Sequence, residues 1–518
     1  MNALYHIVRA DFLERTRRYS FLVMLGLVLY LGYSVNIGQI TLRLESYRGV
    51  FNSAWVGSMM TLVVNFLLGW FGFYLIKNSI ARDYETGVGQ IMATTPLSRP
   101  IYAIGKWLSN FAVLGLMVFI LMLAAFAMQL IHREDPLIHP WALVAPFLFV
   151  ALPFMALISA IAILFESIRW LRGSFGNLVY FFLFISGITV VAILLGTKIP
   201  WLDWLGFGLF SESMKTAARL VYPDYQSGFA LSMVPGASDA QAFYWSGVEW
   251  TLPIVLTRMS TVALAFGLVL LGALFFDRFD LSLGRPRTKS KPASDSPELA
   301  SVIHEQSAPL IQLSPLASSQ SRSRFRSLYL AELRFLLKGQ TWWWYLLALG
   351  LILASFSAPF DSIRSSVLPA ALILPTLVWS GLGCRETIYF TQQLVFSAPR
   401  PLQNQLPTEW LAGFTVSALM GVGIAMRFLI AGEMSSLLSL FVGLMFIPSL
   451  ALMLGVWTGS RKAFEVVYVL FWYLGPLNKV LELDYLGIHT ADSWQIYFVL
   501  SIVLSVLAVI GRKRQLQR

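Results

Sequence analysis

The side chains that could do chemistry lie between long apolar runs, and none of them forms a catalytic arrangement. Gly105-Lys106 is the only Gly-Lys pair, and Trp107 follows it where a phosphate-binding loop needs Ser or Thr. Such a loop also needs a glycine five residues before the Gly-Lys pair, where this chain has Pro100; backbone amides could not cradle phosphates there. We therefore predict that the chain is not an enzyme, does not hydrolyse ATP itself and holds no cofactor.

A second polar run, His132-Arg133-Glu134-Asp135 with His139, contains residue types that bind metals. The chain has no His-Glu-x-x-His motif, and its single cysteine, Cys384, cannot form an internal disulfide or a cysteine-based zinc site alone. A short polar loop between two spans explains this run more simply. We predict that no metal binds there.

The most informative charges lie in residues 77–107, KNSIARDYETGVGQIMATTPLSRPIYAIGKW, which are too polar to span a membrane. Apolar side chains at helical spacing predict a short amphipathic helix over 79–93, which Thr95-Pro96 would end. The apolar face carries Ile80, Tyr84, Val88 and Ile91, and the other face carries Arg82, Asp83 and Glu85. The spacing fits a helix that receives force from a soluble partner and equally a surface helix that caps the bundle.

The composition indicates the environment in which most of the chain lies. Of the 518 residues, 57% are hydrophobic and 13% are charged, against about 25% charged in soluble domains. This excludes a cytosolic globular enzyme, a disordered chain and a secreted disulfide scaffold, and it indicates an integral membrane protein. The net charge of +11 is explained by Lys and Arg in cytoplasmic loops rather than by nucleic-acid binding. No secretory cleavage pattern accompanies the first apolar run, so we expect it to remain as a span.

Runs of about twenty apolar residues predict an all-α integral membrane fold with about twelve transmembrane helices. The excess of Lys and Arg places both termini in the cytoplasm, with the richest segments at 278–338 and in the terminal GRKRQLQR. The predicted spans are 20–41, 55–77, 106–131, 141–165, 174–197, 250–276, 341–360, 367–383, 408–431, 435–458, 464–478 and 493–511.

The chain is organised as two halves with one plan. We predict a first six-span domain at 1–280, a Ser- and Pro-rich cytoplasmic linker at 281–325 and a second six-span domain at 326–518. An offset of 303 positions aligns the polar loops of the two halves, because it pairs Arg82 with Arg385, Gln90 with Gln393, Pro96 with Pro399, Trp107 with Trp410 and Phe111 with Phe414. Halves with even span numbers are parallel repeats, which predicts two pseudo-symmetric six-helix bundles with a pathway between them.

The loop at 77–107 resembles that of ATP-binding-cassette (ABC) exporter permeases of the type-two class. The resemblance rests on Glu85-Thr86-Gly87, on Thr95-Pro96-Leu97-Ser98-Arg99 and on Gly105-Lys106; it is strong over about 1–200 and weaker over 320–511. It implies that Arg82, Asp83, Glu85, Gly87, Thr95 and Pro96 couple the chain to an ATPase. The second loop keeps Arg385, Glu386 and Pro399 but lacks Glu-x-Gly, and it has Thr408-Glu409 where the first has Gly105-Lys106.

The resemblance implies a full-length fused permease subunit of an ATP-driven exporter in a bacterial-type plasma membrane. Amphipathic connecting helices at 1–19 and 323–340 would precede the first span of each half, and coupling helices at 80–94 and 385–396 would dock on separate ATPase subunits, two in number, that bind ATP and Mg. The partners implied are these ATPases and the lipid bilayer, without nucleic acid. The substrate is open, and the apolar spans favour an amphiphilic one.

Other features keep alternatives open. Arg258 in the sixth span and Arg427 in the ninth are charges within spans, either structural or lining a pathway. Arg427 could pair with Glu433 or extend outward. The aromatic-rich external segment 198–249 could form a lid, contact an amphiphilic substrate or pack over span ends. An ATP-independent carrier, a scramblase or a membrane assembly scaffold remains the alternative function, although no carboxylate lies at mid-membrane, as a proton-coupled carrier would need.

Overall fold

The computed structural model is helical almost throughout. It describes residues 2–36, 40–44, 47–132, 134–193, 202–223, 225, 229–232, 241–276, 321–340, 342–398, 400–478, 480–488 and 494–517. The predicted linker at 281–325 lies outside these residues except for its last five, which begin a helix. The chain divides into two compact units, Met1–Phe279 and Asp280–Arg518.

The first unit contains twelve α-helices among its described residues. They are α1 (Asn2–Thr16), α2 (Tyr19–Asn36), α3 (Ser53–Leu67), α4 (Phe73–Ile76), α5 (Ser79–Glu85), α6 (Val88–Ala93), α7 (Arg99–His132), α8 (Pro140–Pro146), α9 (Leu152–Ser167), α10 (Ser174–Ile193), α11 (Phe207–Val221) and α12 (Leu252–Phe275). Short π-helical segments, Leu68–Gly72 and Phe147–Ala151, connect α3 to α4 and α8 to α9. The second π segment follows Pro146, which lacks the N–H that a regular helix needs.

The bundle of the first unit forms around α9, which packs against α7 and α12, while α3 packs against α8 and α7. Asn52 starts α3, because its side chain accepts a hydrogen bond from the Trp55 N–H at 2.9 Å. Helix α1 lies along α7. Gly105 permits this close approach, since a Cβ at that position would lie 3.0 Å from the side chain of Ile7.

Four three-residue strands connect the loop after α2 to the segment between α11 and α12. β1 (Thr41–Arg43) pairs antiparallel with β3 (Ala230–Ser232), with Thr41 opposite Ser232. β2 (Tyr47–Gly49) pairs parallel with β4 (Gln241–Phe243), with Tyr47 opposite Gln241. The external segment predicted at 198–249 is thus held to the first unit by backbone hydrogen bonds, although 198–201 and 233–240 lie outside the described residues.

The second unit forms a bundle in which α21 packs against α20 and α23, and α13 lies along α20. Its helices are α13 (Ser321–Lys338), α14 (Trp342–Ser357), α15 (Phe360–Ser362), α16 (Leu368–Ile373), α17 (Thr376–Trp379), α18 (Arg385–Ile388), α19 (Gln392–Phe396), α20 (Pro401–Ile430), α21 (Met434–Thr458), α22 (Arg461–Trp472) and α23 (Trp494–Leu516). Two π segments, Ile363–Val367 and Tyr473–Leu477, and a 3-10 turn, Leu481–Leu483, complete it.

Eight helices among the described residues are long and apolar enough to cross a membrane, so the protein is a multi-pass membrane protein by length and composition. They are Ser53–Tyr84, Arg99–Ile131, Pro140–Ser167, Ser174–Val191, Leu252–Phe275, Pro401–Ile430, Met434–Thr458 and Trp494–Leu516. A ninth results if the pair Leu4–Thr16 and Phe21–Val35, bent by 71°, is one span.

These helices do not reach the predicted count of twelve spans. The predicted span 20–41 falls on the bent pair, and 341–360 and 367–383 fall on the shorter helices Trp342–Ser357 and Ile363–Trp379. The predicted span 464–478 falls on α22, a helix of 12 residues that continues into a π segment at Gly475-Pro476. The predicted count of twelve therefore stays a prediction.

Candidate coupling loops

The first loop (residues 77–107) contains two short helices where the sequence predicted one. α5 ends at Glu85 and α6 begins at Val88. Between them Gly87 has φ +75°, a left-handed backbone that ends a helix and favours glycine. The apolar periodicity across 79–93 is present, but it is divided between two helices because Gly87 interrupts the hydrogen-bonding pattern.

Glu166, at the end of α9, holds the N-terminus of α5. Its Oε1 accepts from the N–H groups of Asn78 at 2.7 Å and Ser79 at 2.9 Å, and its Oε2 accepts from the N–H of Ile80 at 2.5 Å. The side chain is 1% exposed. The first N–H groups of a helix have no partner within the helix and carry partial positive charge, so a buried carboxylate satisfies both their hydrogen bonding and their charge. The start of the first loop is thereby bonded to α9.

Lys77 makes a second connection just before α5. Its ammonium donates to the carbonyl oxygens of Leu171 at 3.0 Å and Gly173 at 3.2 Å and to Asn177 Oδ1 at 2.6 Å. Lys77 is 2% exposed. The first loop and the connection between α9 and α10 are consequently bonded to each other at this end of the unit.

Lys106 forms a buried ionic centre at the other end of the first loop. Its ammonium lies 2.7 Å from Asp83 Oδ2 and 2.9 Å from Asp11 Oδ2, and only 1% of its side chain is exposed. Tyr102 donates to Asp83 at 2.6 Å. A buried charge is tolerated when it is paired and hydrogen-bonded. Lys106 therefore joins three elements: α7, which carries it, α5 and the connecting helix α1.

Further charged side chains hold α1 against this centre. Arg82 pairs with Glu14, which also accepts from Arg18 at 2.9 Å. Arg15 is buried and donates to Asn110 and to the carbonyl oxygen of Ile76. Of the predicted coupling residues in the first loop, Arg82 and Asp83 thus pair with side chains of α1 and α7, which anchors the loop to the bundle.

The remaining predicted residues of the first loop follow Asp83 in the sequence. Glu85 is in the last turn of α5, Gly87 forms the break between α5 and α6, and Thr95 and Pro96 are exposed after α6. Large apolar side chains are exposed beside them: Tyr84 at 36%, Val88 at 38% and Ile91 at 69%. The loop is therefore ionic where it meets the bundle and apolar where it faces away from it.

The second loop (residues 383–410) has the same plan. Two short helices, α18 and α19, replace the single helix predicted at 385–396, and Phe390 between them has φ +56°. A bulky residue is strained in this left-handed region. Large apolar side chains are again exposed: Tyr389 at 60%, Phe390 at 83% and Leu394 at 77%. Pro399 lies outside the described residues.

Arg385 and Glu386 anchor the second loop. Arg385 pairs with Glu332 on α13 at 2.9 Å, and burial raises the pKa of Glu332. Glu386 accepts from Gln405 and lies 3.5 Å from Arg512. Burial alone would raise the pKa of Glu386, but the Arg512 charge and the hydrogen bonds outweigh it, so that the pKa lies below the ordinary value of 4.5.

Arg512 is the cation at the centre of this second cluster. It lies on α23 with 1% of its side chain exposed, 3.5 Å from Glu409 and over the Phe396 ring at 5.1 Å. Gln405 bridges the two carboxylates, since it donates to Glu409 at 2.9 Å as well as to Glu386. Arg512 therefore connects α23 to α18, α19 and α20.

The charges within spans have structural partners. Arg258 donates to the backbone oxygen of Asp203 and to its Oδ2 at 3.1 Å, which holds the external segment to α12. Arg427 donates to the carbonyl oxygen of Ala358 at 2.5 Å. Glu433 pairs with Arg364 rather than with Arg427. Each of these side chains connects neighbouring parts of its own unit.

The polar run at 132–139 takes part in an ordinary surface contact. Glu134 pairs with Arg48 at 2.9 Å and accepts from the Phe51 N–H at 3.0 Å. Within the part of the chain that the structure describes, no group of three or more His, Cys, Asp or Glu side chains is arranged to hold a metal ion.

Sequence reasoning missed Glu166, Lys77 and Arg512, and it named Lys106 and Glu409 only as parts of a motif. A signal existed for Glu166, which is the only charged residue in the apolar run 140–167. The sequence gives no such signal for Arg512, because in GRKRQLQR it is one of several basic residues after the last span.

Comparison of the chain with protein-family models, with curated proteins and with solved structures gives no match.

Proposed function

We propose that the protein is the transmembrane permease subunit of an ATP-driven ABC exporter, powered by separate ATPase subunits that bind ATP and Mg. It would lie in the plasma membrane with both termini in the cytoplasm, as two six-span halves in one chain. The substrate would be amphiphilic and move outward. The observation that carries this proposal is a loop in each unit that is bonded to the bundle by buried charges and exposes apolar side chains on its other side.

The exposed side chains fit a docking surface. Ile91 in the first loop and Phe390 and Leu394 in the second are mostly exposed and would gain about 1–2 kcal/mol each on full burial, and the partly exposed Val88 would gain less. A partner that covers these side chains would bind through them.

The anchors fit a transmission role. A force on α5 reaches α9 through the hydrogen bonds to Glu166 and reaches α7 through Lys106. In the second unit a force on α18 reaches α23 through Arg512. Because hydrogen-bonded ion pairs are short and directional, loop and helix would move together. This is the mechanical connection that a permease driven by separate ATPases needs.

Co-purification with candidate ABC ATPase subunits co-expressed with this protein tests the proposal. Ile91→Ser and Leu394→Ser should each weaken ATPase binding about tenfold, which corresponds to about 1.4 kcal/mol of lost burial. Leu220→Ser is the matched control, because Leu220 is 83% exposed on α11 and belongs to neither loop. It should leave binding unchanged.

Two outcomes would overturn the proposal. If the unmodified protein binds no ATPase in membranes that contain both, an ATP-independent carrier, scramblase or assembly scaffold becomes the better interpretation. If the ATPase binds but Ile91→Ser, Leu394→Ser and the double variant bind as tightly as the Leu220→Ser control, the loops are ordinary surface helices that cap the bundle.

A further inference from the structure

A small pocket lies in the first unit at the end opposite the first loop. It has a volume of about 250 Å³ and is enclosed by the start of α3, by α8 and by residues 246–250. Gly247 lies in this region, and its φ of +105° favours glycine. A Cβ atom at position 247 would lie 3.0 Å from the Cβ of Ala54. The volume is below the roughly 300–1,000 Å³ of sites for drug-sized ligands, so it suits a head group or a small ion.

Two tryptophan rings line the pocket, and a phenylalanine ring packs against both of them. The Phe149 ring lies 5.9 Å from Trp141 and 5.1 Å from Trp250, measured between ring centroids. Trp141 and Trp250 line the pocket directly, and Phe149 sits between them on the π segment Phe147–Ala151. Such π segments often occur at functional sites, because the inserted residue redirects the neighbouring side chains. Here the insertion after Pro146 places Phe149 against both indoles.

Two polar groups line the same pocket without partners among the described residues. The Ser58 hydroxyl is buried at 1% exposure and makes no hydrogen bond within that part of the chain. Glu249 is exposed, and within the same ranges its carboxylate has neither an ion pair nor a hydrogen bond. An unpaired carboxylate beside exposed aromatic faces attracts a cation, and a buried unpaired hydroxyl favours a ligand that offers a hydrogen bond.

We propose that this pocket binds a quaternary ammonium group, with Trp141 and Trp250 against its methyl groups, Glu249 balancing its charge and Ser58 available to a hydroxyl or ester oxygen beside it. Phe149 packs against both indoles and holds them in place. Aromatic rings with a nearby carboxylate recognise methylated ammonium better than a strongly hydrated small ion, because the methyl groups are already weakly hydrated. The inference is independent of the proposed exporter function.

This chemistry has two sources, free choline and the choline head group of a phospholipid. Calorimetric titration of the purified protein with choline, in nanodiscs of phosphatidylglycerol, measures the free compound. The same titration in nanodiscs that contain phosphatidylcholine distinguishes the sources. If the lipid head group occupies the pocket, choline binding weakens there; if only the free compound reaches it, the affinity is the same in both.

We expect choline to bind, and its neutral carbon isostere, 3,3-dimethylbutan-1-ol, to bind at least tenfold more weakly. Glu249→Gln and Trp250→Leu should each weaken choline binding at least tenfold, and Ser58→Ala by a smaller factor. Glu212→Gln is the matched control, because Glu212 is also exposed on the external segment but does not line the pocket. It should bind choline as the unmodified protein does.

Glu249→Gln keeps the test valid if Trp250→Leu fails to fold, since it alters an exposed side chain without changing its size. The proposal is overturned if choline does not bind in phosphatidylglycerol nanodiscs. It is equally overturned if the neutral isostere binds as tightly as choline, or if Glu249→Gln and the Glu212→Gln control behave alike.

Discussion

Lys106 and Glu409 are aligned by the predicted repeat, 303 residues apart, and one is a basic residue where the other is acidic. Each is buried and lies beside a carboxyl group on the first short helix of its loop: Lys106 is 2.7 Å from Asp83 on α5, and Glu409 is bridged by Gln405 to Glu386 on α18. Arg512 on α23 lies 3.5 Å from both of these carboxyl groups and supplies the cation of the cluster. The two halves thus reach one arrangement, a carboxylate paired with a buried cation, from different helices.

Replacing Lys106 tests this arrangement in the first half. Lys106→Met should lower the free energy of unfolding by about 3–5 kcal/mol, because it leaves Asp11 and Asp83 without their shared cation. Thermal unfolding in detergent measures the change. Lys215→Met is the control, since Lys215 forms a long surface contact of 4.0 Å with Glu212 and should change stability by less than about 1 kcal/mol. If Lys106→Met and Lys215→Met lower the free energy of unfolding equally, the ionic centre is contradicted. Adding Asp83→Asn to Lys106→Met should recover part of the lost stability, because it removes one of the unpaired carboxylates.

Replacing Arg512 tests the second half through its pH dependence. In the unmodified protein the pKa of Glu386 lies below 4.5, so its contribution to stability is present above that pH and is lost as the pH falls through the lowered value. In Arg512→Met burial dominates and raises the pKa of Glu386. A raised pKa reverses the sign, so that this variant gains stability as the pH falls.

The expected result is a difference in melting temperature between the unmodified protein and Arg512→Met that is large at neutral pH and shrinks on acidification toward and below 4.5. Arg512→Lys keeps the charge and should keep most of the unmodified pH dependence. If the difference between the unmodified protein and Arg512→Met is constant across this range, Arg512 does not act through the Glu386 carboxylate.

Sequence patterns predicted the membrane class and the positions of most spans, because runs such as 106–131 and 435–458 are long and almost free of ionised side chains. They also placed the two loops and the amphipathic helices before each half. Local patterns failed where one residue decides the backbone, as Gly87 does between α5 and α6. The four weaker spans are the ones whose helices are short, bent or interrupted.

The anchors could not be predicted for a different reason. Lys106, Asp83 and Asp11 meet only because α1 lies along α7, and Arg512 reaches Glu386 across 126 residues of sequence. Lys and Arg residues at span ends usually indicate the orientation of the protein in the membrane. The sequence alone does not show which of these side chains is buried in the folded bundle. The inward position of Arg82 and Asp83 follows from tertiary packing rather than from helical spacing.

Glu166 offers the most direct test of the connection between the first loop and α9. Glu166→Gln keeps the size of the side chain and one acceptor oxygen but removes the charge, and hydrogen bonds to a charged acceptor are worth about 1 kcal/mol more than neutral ones. The amides of Asn78, Ser79 and Ile80, which donate to Glu166, should therefore exchange with deuterium several-fold to about tenfold faster. Mass spectrometry of peptides that cover 77–93 measures this, with Glu212→Gln as the control of equal charge change. Unchanged exchange at these amides would mean that α5 keeps its position without the carboxylate, and the route from the first loop to α9 would then have to run through Lys77 and its contacts with 171–177.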